Sequence, residues 1–282
     1  MRLFCFGLGY SALHFLSLRA DIAAGGTVRT QEKADGLRAD GVDAYVFDGA
    51  RGDTALLGAL ARAQALLVSI APGASGDPVL AKLASAIAEN SGLARIVYLS
   101  TIGVYGDHGG AWVDEASACK PSSERGQARL GAERQWQALG EATGVPVHIL
   151  RLAGIYGPER NLLERLRAGD ARRIVKPGQK FNRTHVEDIA QAISLALASP
   201  GEGGIWNVAD DEPAPPQDVI AYAAALIGVE PPPEEPYESA EMTPMARSFY
   251  ADNKSVSIAK LKRELGFRPK YPTYREGLKS LV

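Results

Sequence analysis

The chain is short of the residues that disulfide, metal and nucleic-acid chemistry need. It has 2 cysteines, Cys5 and Cys119, and no C-x-x-C pair. That excludes a disulfide framework and a cysteine-based zinc motif. Its 4 histidines are scattered, so no metal site arises by spacing. Acidic and basic residues nearly cancel, 33 against 31, for a net charge of −2. A nucleic-acid partner would call for a basic excess, and none exists. No apolar run reaches the roughly 20 residues of a membrane span, so no membrane partner is expected.

The opening, "MRLFCFGLGYSALHFLSLRADIAAGG", reads two ways. One is an export signal: a positive residue, an apolar run, then small residues. Gly7, Gly9, Ser11 and His14 break that run, and cleavage near Gly25 would remove the first strand of a sheet. The other is a strand entering a dinucleotide-type turn. The second reading is the expectation here, and with it a cytoplasmic location.

Short apolar runs at 2–7, 26–30, 43–48, 65–71, 94–101 and 146–153 read as strands. Amphipathic stretches at 10–23, 31–40, 53–63, 78–90 and 122–142 read as the helices between them. Such alternation predicts a parallel, doubly wound sheet. Past residue 155 the pattern loosens. It keeps a helix at 185–199, a strand at 204–210, a helix at 215–228, a proline-rich stretch at 230–236 and a basic helix at 255–267.

Gly7, Gly9 and Ala12 form G-x-G-x-x-A between the first strand and helix, with Tyr10 and Ser11 inside it. The first glycine makes the turn, the second admits a pyrophosphate, and the small third residue lets helix meet strand. Helix amides then face the phosphates. An acid about 20 residues on would suit NAD. Arg29 stands there, and a guanidinium suits the 2′-phosphate of NADP. A solvated arginine at a strand end is the alternative, which leaves NAD open. Asp48, Ser69, Ala71 and Pro72 close the third and fourth strands, where adenine, ribose and pyrophosphate would pass.

"VYLSTIGVYGDHGGAWVDEAS" (97–117), "RLAGIYGP" (151–158), "HVEDIA" (185–190) and "WNVADDEP" (206–213), together with the opening turn, carry a resemblance. They resemble the extended short-chain dehydrogenase/reductase superfamily, which includes NAD-dependent epimerases and dehydratases. The resemblance implies an α/β fold: a Rossmann-type doubly wound parallel sheet with a smaller α+β substrate domain and a site in the cleft between them. The first domain would span 1–155, completed by about 181–210; the second would hold 156–180 and 211–282.

In that family a Ser or Thr follows the fifth strand, and a Tyr-x-x-x-Lys pair sits on the next helix. Thr101 matches the hydroxyl position, with Ser100 beside it near the cofactor. The helix frame is present in "SSERGQARLGAE" (122–133), but Arg125 stands at the tyrosine and Arg129 at the lysine. Arginine stays protonated and is no general base. Arg129 could still hold a ribose or phosphate, and Arg125 an anionic substrate group or a buried acid. Tyr105 and His108 are candidates for the vacant proton-transfer role, against the plainer readings of packing tyrosine and solvated loop histidine. Tyr156, Arg160, Asn161, Asn182 and Arg183 lie on segments resembling the family's substrate-facing loops, and their arginines favour an anionic small molecule. Related folds dimerise beside the cofactor domain, which leaves a homodimer open. Two functions compete: an NADP-dependent oxidoreductase or isomerase with non-standard catalytic residues, and a catalytically silent NADP(H)-binding sensor.

Overall fold

Seven short apolar runs become the strands of one parallel sheet. They are β1 (Arg2–Phe6), β2 (Ala23–Val28), β3 (Asp43–Val46), β4 (Ala65–Val68), β5 (Arg95–Thr101), β6 (Val147–Leu152) and β7 (Gly203–Val208). Every residue of β4 and β6 is buried, as expected for strands covered on both faces. The computed structural model describes residues 1–49 and 53–282.

The strand order is β3-β2-β1-β4-β5-β6-β7. It reverses between β1 and β4. Right-handed crossovers therefore send helices to both faces, and the carboxyl ends of β1 and β4 flank the switch point where ligands of such sheets bind. The connecting helices are α1 (Tyr10–Ser17), α2 (Gln31–Ala39), α3 (Thr54–Ala61), α4 (Pro78–Ala88) and α5 (Glu124–Thr143). Thr30, Asp53 and Asp77 cap α2, α3 and α4 with their side chains. Buried Asp77 also accepts a hydrogen bond from Trp136 Nε1 at 2.9 Å, which ties α4 to α5. Phe6, Leu66, Tyr98, Trp136 and Ile149 share one buried hydrophobic core.

β2 packs unusually close to its neighbours because Gly25 and Gly26 lie within it. Gly26 pairs with Cys5, and a Cβ there would sit 2.3 Å from the Cys5 carbonyl oxygen. β2 begins at Ala23, and α1 stops at Ser17, earlier than expected from sequence. Consecutive turns follow instead, in which Leu18 N donates to Phe15 O, Arg19 N to Leu16 O and Ile22 N to Arg19 O.

The chain divides into two units. The first holds Met1–Thr101, Glu124–Arg151 and Ala190–Trp206; the second holds Ile102–Ser123, Leu152–Ile189 and Asn207–Val282. The division expected from sequence kept residues 102–123 and 152–155 with the first domain; the observed one groups them with the second.

In the second unit, helices α6 (Leu162–Arg167), α8 (Pro216–Leu226) and the helix Tyr274–Lys279 bury Leu163, Val219, Ala223, Tyr274 and Leu278 together. Helix α7 (Val186–Ala198) runs through the boundary between the two sets of residues. Three short parallel strand pairs complete the unit: Gly154–Tyr156 with Arg183–His185, Arg173–Val175 with Glu234–Pro236, and Trp112–Val113 with Ser255–Val256. The last pair corrects the helix expected over 255–267. Its first residues are a strand, and the helix proper is Ala259–Leu265. Among the described residues no helix is long and apolar enough to cross a membrane.

Candidate cofactor and active site

The turn after β1 has the shape its sequence suggests. Gly7 lies at φ +98, a conformation only glycine adopts without strain. A Cβ on Gly7 would meet Ser69 Oγ at 2.6 Å. Gly9 caps α1 without any side-chain hydrogen bond, and the first amides of a helix have no acceptor within the helix itself. A Cβ on Gly9 would meet nothing within 4 Å, so the approach to those amides is open there. Ala12 is fully buried against the sheet. Together these features fit a dinucleotide pyrophosphate. Ser11 and Tyr10 are half-buried on the first turn.

Arg29 follows the last residue of β2. It is exposed and makes no ion pair or hydrogen bond with a described residue. Asp48 is exposed just beyond β3. Ser69 directs its hydroxyl into the protein, donating to Gly7 O at 2.7 Å. Ala71 is exposed and Pro72 half-buried in the segment that follows.

At the end of β5, Ser100 is buried and Thr101 half-buried. Ser100 Oγ donates to Glu133 Oε1 at 2.5 Å. Glu133 on α5 is in turn held by Arg151 on β6, with Nη2 to Oε2 at 2.7 Å and Nε to Oε1 at 3.1 Å. β5, α5 and β6 are thereby locked beneath Thr101. Arg129, expected from sequence at the lysine position, turns toward β5. Its Nη1 donates to the Tyr98 hydroxyl at 3.1 Å and to Leu99 O at 2.9 Å. Arg125, expected from sequence at the tyrosine position, is exposed on the first turn of α5.

The second unit holds the remaining candidates. Tyr105 is fully buried, and its hydroxyl donates to Asn207 Oδ1 at 2.8 Å, a placement that suits packing. His108 Nε2 lies 3.2 Å from both Tyr105 O and Ala118 O. Carbonyls only accept, so Nε2 carries the hydrogen. The loop around His108 is pinned by Asn253. Its N–H donates to Asp107 Oδ1 at 2.7 Å, and its carbonyl accepts from His108 N and Gly110 N, both at 3.0 Å. Its side chain reaches the other way, to Gly178 O at 2.9 Å and Lys180 N at 3.1 Å. The backbone amide of Asn253 is the main cause that holds the Asp107 carboxyl below its ordinary range.

Tyr156 is buried and its hydroxyl donates to Asp210 Oδ2 at 3.3 Å. Burial, with Asp188 nearby, pushes the Asp210 carboxyl well above the usual range. Arg183 donates to Phe181 O at 3.1 Å, and burial lowers its guanidinium from its ordinary value. Asn161 caps α6 by accepting from Glu164 N at 3.1 Å. Buried Asn182 bridges Lys254 O and Val256 N. Arg160 is exposed, beside Glu159 at φ +60, the one described non-glycine residue with positive φ. Among the described residues no cluster of His, Cys, Asp and Glu could hold a metal ion.

Residues 79–209 match the profile of the NAD dependent epimerase/dehydratase family. Protein YeeZ of Escherichia coli (strain K12) is 31% identical over 264 residues, which cover 88% of this chain and 87% of YeeZ. The chain belongs to the NAD-dependent epimerase/dehydratase family. A structure described as a functionally unknown conserved protein from Silicibacter pomeroyi DSS has TM-score 0.91 and 46% identity, covering 99% of this chain and 97% of that one. UDP-glucuronic acid 4-epimerase from Bacillus cereus, in complex with NAD, has the same fold at TM-score 0.78 and 18% identity, over 100% of this chain and 97% of its own. The stretch matched by the family profile runs from α4 to the end of β7, so it includes Thr101, Arg125 and Arg129 but not the turn at Gly7.

Sequence reasoning passed over Thr27, which proves to be bonded to the turn itself: its Oγ1 accepts from Gly7 N. A threonine within a strand looks like ordinary β-branched filler. The usable signal was its position, one residue past two glycines on the strand beside the turn.

Proposed function

We propose that the chain is an NADP-dependent oxidoreductase or isomerase of a small polar substrate, working without the usual tyrosine–lysine pair. The observation that carries this reading is the turn: Gly7 at φ +98 leads into a helix start with no side-chain cap, and Arg29 stands exposed and unpaired among described residues at the end of the neighbouring strand. The NAD in the Bacillus cereus epimerase supports reading such a turn as a dinucleotide site. A bound nicotinamide supplies hydride transfer, which leaves positioning to the protein. In this reading the amides from Gly9 onward face the pyrophosphate and Arg29 pairs with the 2′-phosphate. Asp48 receives the adenine amino group, the guanidinium of Arg129 offers its remaining donors to a ribose or phosphate, and Thr101 orients the substrate. Arg125 is assigned to an anionic substrate group.

A second reading, a sensor that binds NADP(H) without turnover, draws on two placements. Arg129 is turned toward β5, and the Tyr105 hydroxyl is engaged with Asn207. Affinities for NADPH and NADH test the cofactor assignment. NADPH is expected to bind more tightly, and Arg29→Ala to erase the difference; equal affinities in the unmutated protein would remove the role given to Arg29. Single-turnover oxidation of bound NADPH against a panel of carbonyl compounds separates enzyme from sensor.

A further inference from the structure

The Gly7 residue is gripped from both sides by hydroxyl groups. On one side its N–H donates to Thr27 Oγ1 on β2, at 3.0 Å. On the other, Ser69 Oγ, just past β4, donates to its carbonyl oxygen at 2.7 Å. The next amide is held as well, since Leu8 N donates to the Thr27 carbonyl at 2.7 Å. Thr27 thus engages two successive amides of the turn, one with its side chain and one with its main chain. It is fully buried, so no water substitutes for either contact.

Two consequences follow from these bonds. The amides of Gly7 and Leu8 are occupied within the protein, so those left for a ligand begin at Gly9. And Gly7, the residue type with the most backbone freedom, is restricted to one of its many wells. The packing of β2 makes this reach feasible. Gly26 pairs with Cys5 with no side chain between the strands, and Thr27 follows directly beside the end of β1.

We propose that Thr27 is a positioning residue of the dinucleotide site: with Ser69 it clamps Gly7, and the clamp fixes the direction in which the amides from Gly9 onward point. This rests on the reading of the turn as a dinucleotide site. Thr27 acts through Gly7 and does not touch the nucleotide. The same geometry gives Ser69 an indirect role in place of direct contact with ribose or pyrophosphate. A supporting shell of this kind holds a binding constellation in its productive geometry.

The experiment compares Thr27→Val, which keeps the shape and removes the acceptor, with Thr27→Ser, which keeps the hydroxyl. NADPH and NADH affinities are measured by cofactor fluorescence, beside Tm and hydrogen exchange at the Gly7 and Leu8 amides. Thr27→Val is expected to weaken both nucleotides equally, by about tenfold, the size of one well-placed hydrogen bond. Thr27→Ser should recover most of that loss, and exchange at Gly7 should quicken only in Thr27→Val. The equal effect on both nucleotides separates the clamp from Arg29→Ala, which acts on NADPH alone. A folded Thr27→Val protein with unchanged affinities overturns the proposal, as does a Thr27→Ser protein as weak as Thr27→Val. If Thr27→Val does not fold, Ser69→Ala removes the opposite hydroxyl and is judged by the same equal loss. If the unmutated protein binds neither nucleotide, the dinucleotide reading fails and the proposal falls with it.

Discussion

Arg129 Nη1 lies 3.1 Å from the hydroxyl of Tyr98, and the guanidinium carbon lies 5.6 Å from the centre of that ring. The tyrosine beside Arg129 is therefore on β5, inside the core. Burial pushes its phenol up to about 12, against the pull of Arg129, so Tyr98 is no base near neutral pH. Arg129→Met is expected to leave the Tyr98 hydroxyl and the Leu99 carbonyl without their donor. The cost should be about 1–3 kcal/mol of stability, read from the urea midpoint. An unchanged midpoint would mean that the inward contact carries no weight.

Glu133 and Arg151 form an ion pair with side chains only 1% and 4% exposed. Removing one partner leaves a buried charge uncompensated. Glu133→Leu should therefore cost about 3–5 kcal/mol, whereas Glu133→Leu combined with Arg151→Met should recover most of the loss. Urea unfolding of both singles and the double gives the coupling. Additive losses would show that the two charges do not depend on each other.

His148, on β6, is fully buried and stacks on Trp206 with centroids 5.4 Å apart. Neither ring nitrogen has a hydrogen-bond partner among the described residues. Burial, with the charge of Arg95, lowers its pKa from 6.5 to about 4. Between these values the unfolded chain binds the proton and the folded chain does not. Stability is therefore fully present above about pH 6.5 and falls as pH drops toward about 4, by roughly 3 kcal/mol in all. His148→Phe keeps the stacking and should flatten that part of the profile. Urea midpoints measured from about pH 4 to about pH 8 check the slope; an equal slope in the variant would assign it to other groups.

The sheet was legible because strands covered on both faces are mostly short apolar runs, such as Leu66–Val68 and Ile96–Leu99. The turn was legible because its shape depends on glycine at Gly7 and a small residue at Ala12. Elements of two or three residues were not. Trp112–Val113 and Ser255–Val256 are too short to show any period, and each exists only because the other is there. The helix Tyr274–Lys279 also went unforeseen, although Thr273 and Glu276 form a capping box at its start. Thr27 was hidden for a different reason. Its residue type says strand, and only the placement of β2 against β1 turns its hydroxyl into a partner for Gly7.

Asn253 stands 146 positions after Asp107, yet it holds the loop that contains it. A chain made from its N-terminus has therefore already produced the 107–110 loop long before the residue that shapes it. The contacts of Asn253 are among the most non-local in the fold, and closing them bears the full entropy of a long loop. The loop around Asp107 therefore takes its final shape only once the chain has produced Asn253. Contacts that join such distant stretches of chain are the kind that slow folding, because a long loop must close before they form.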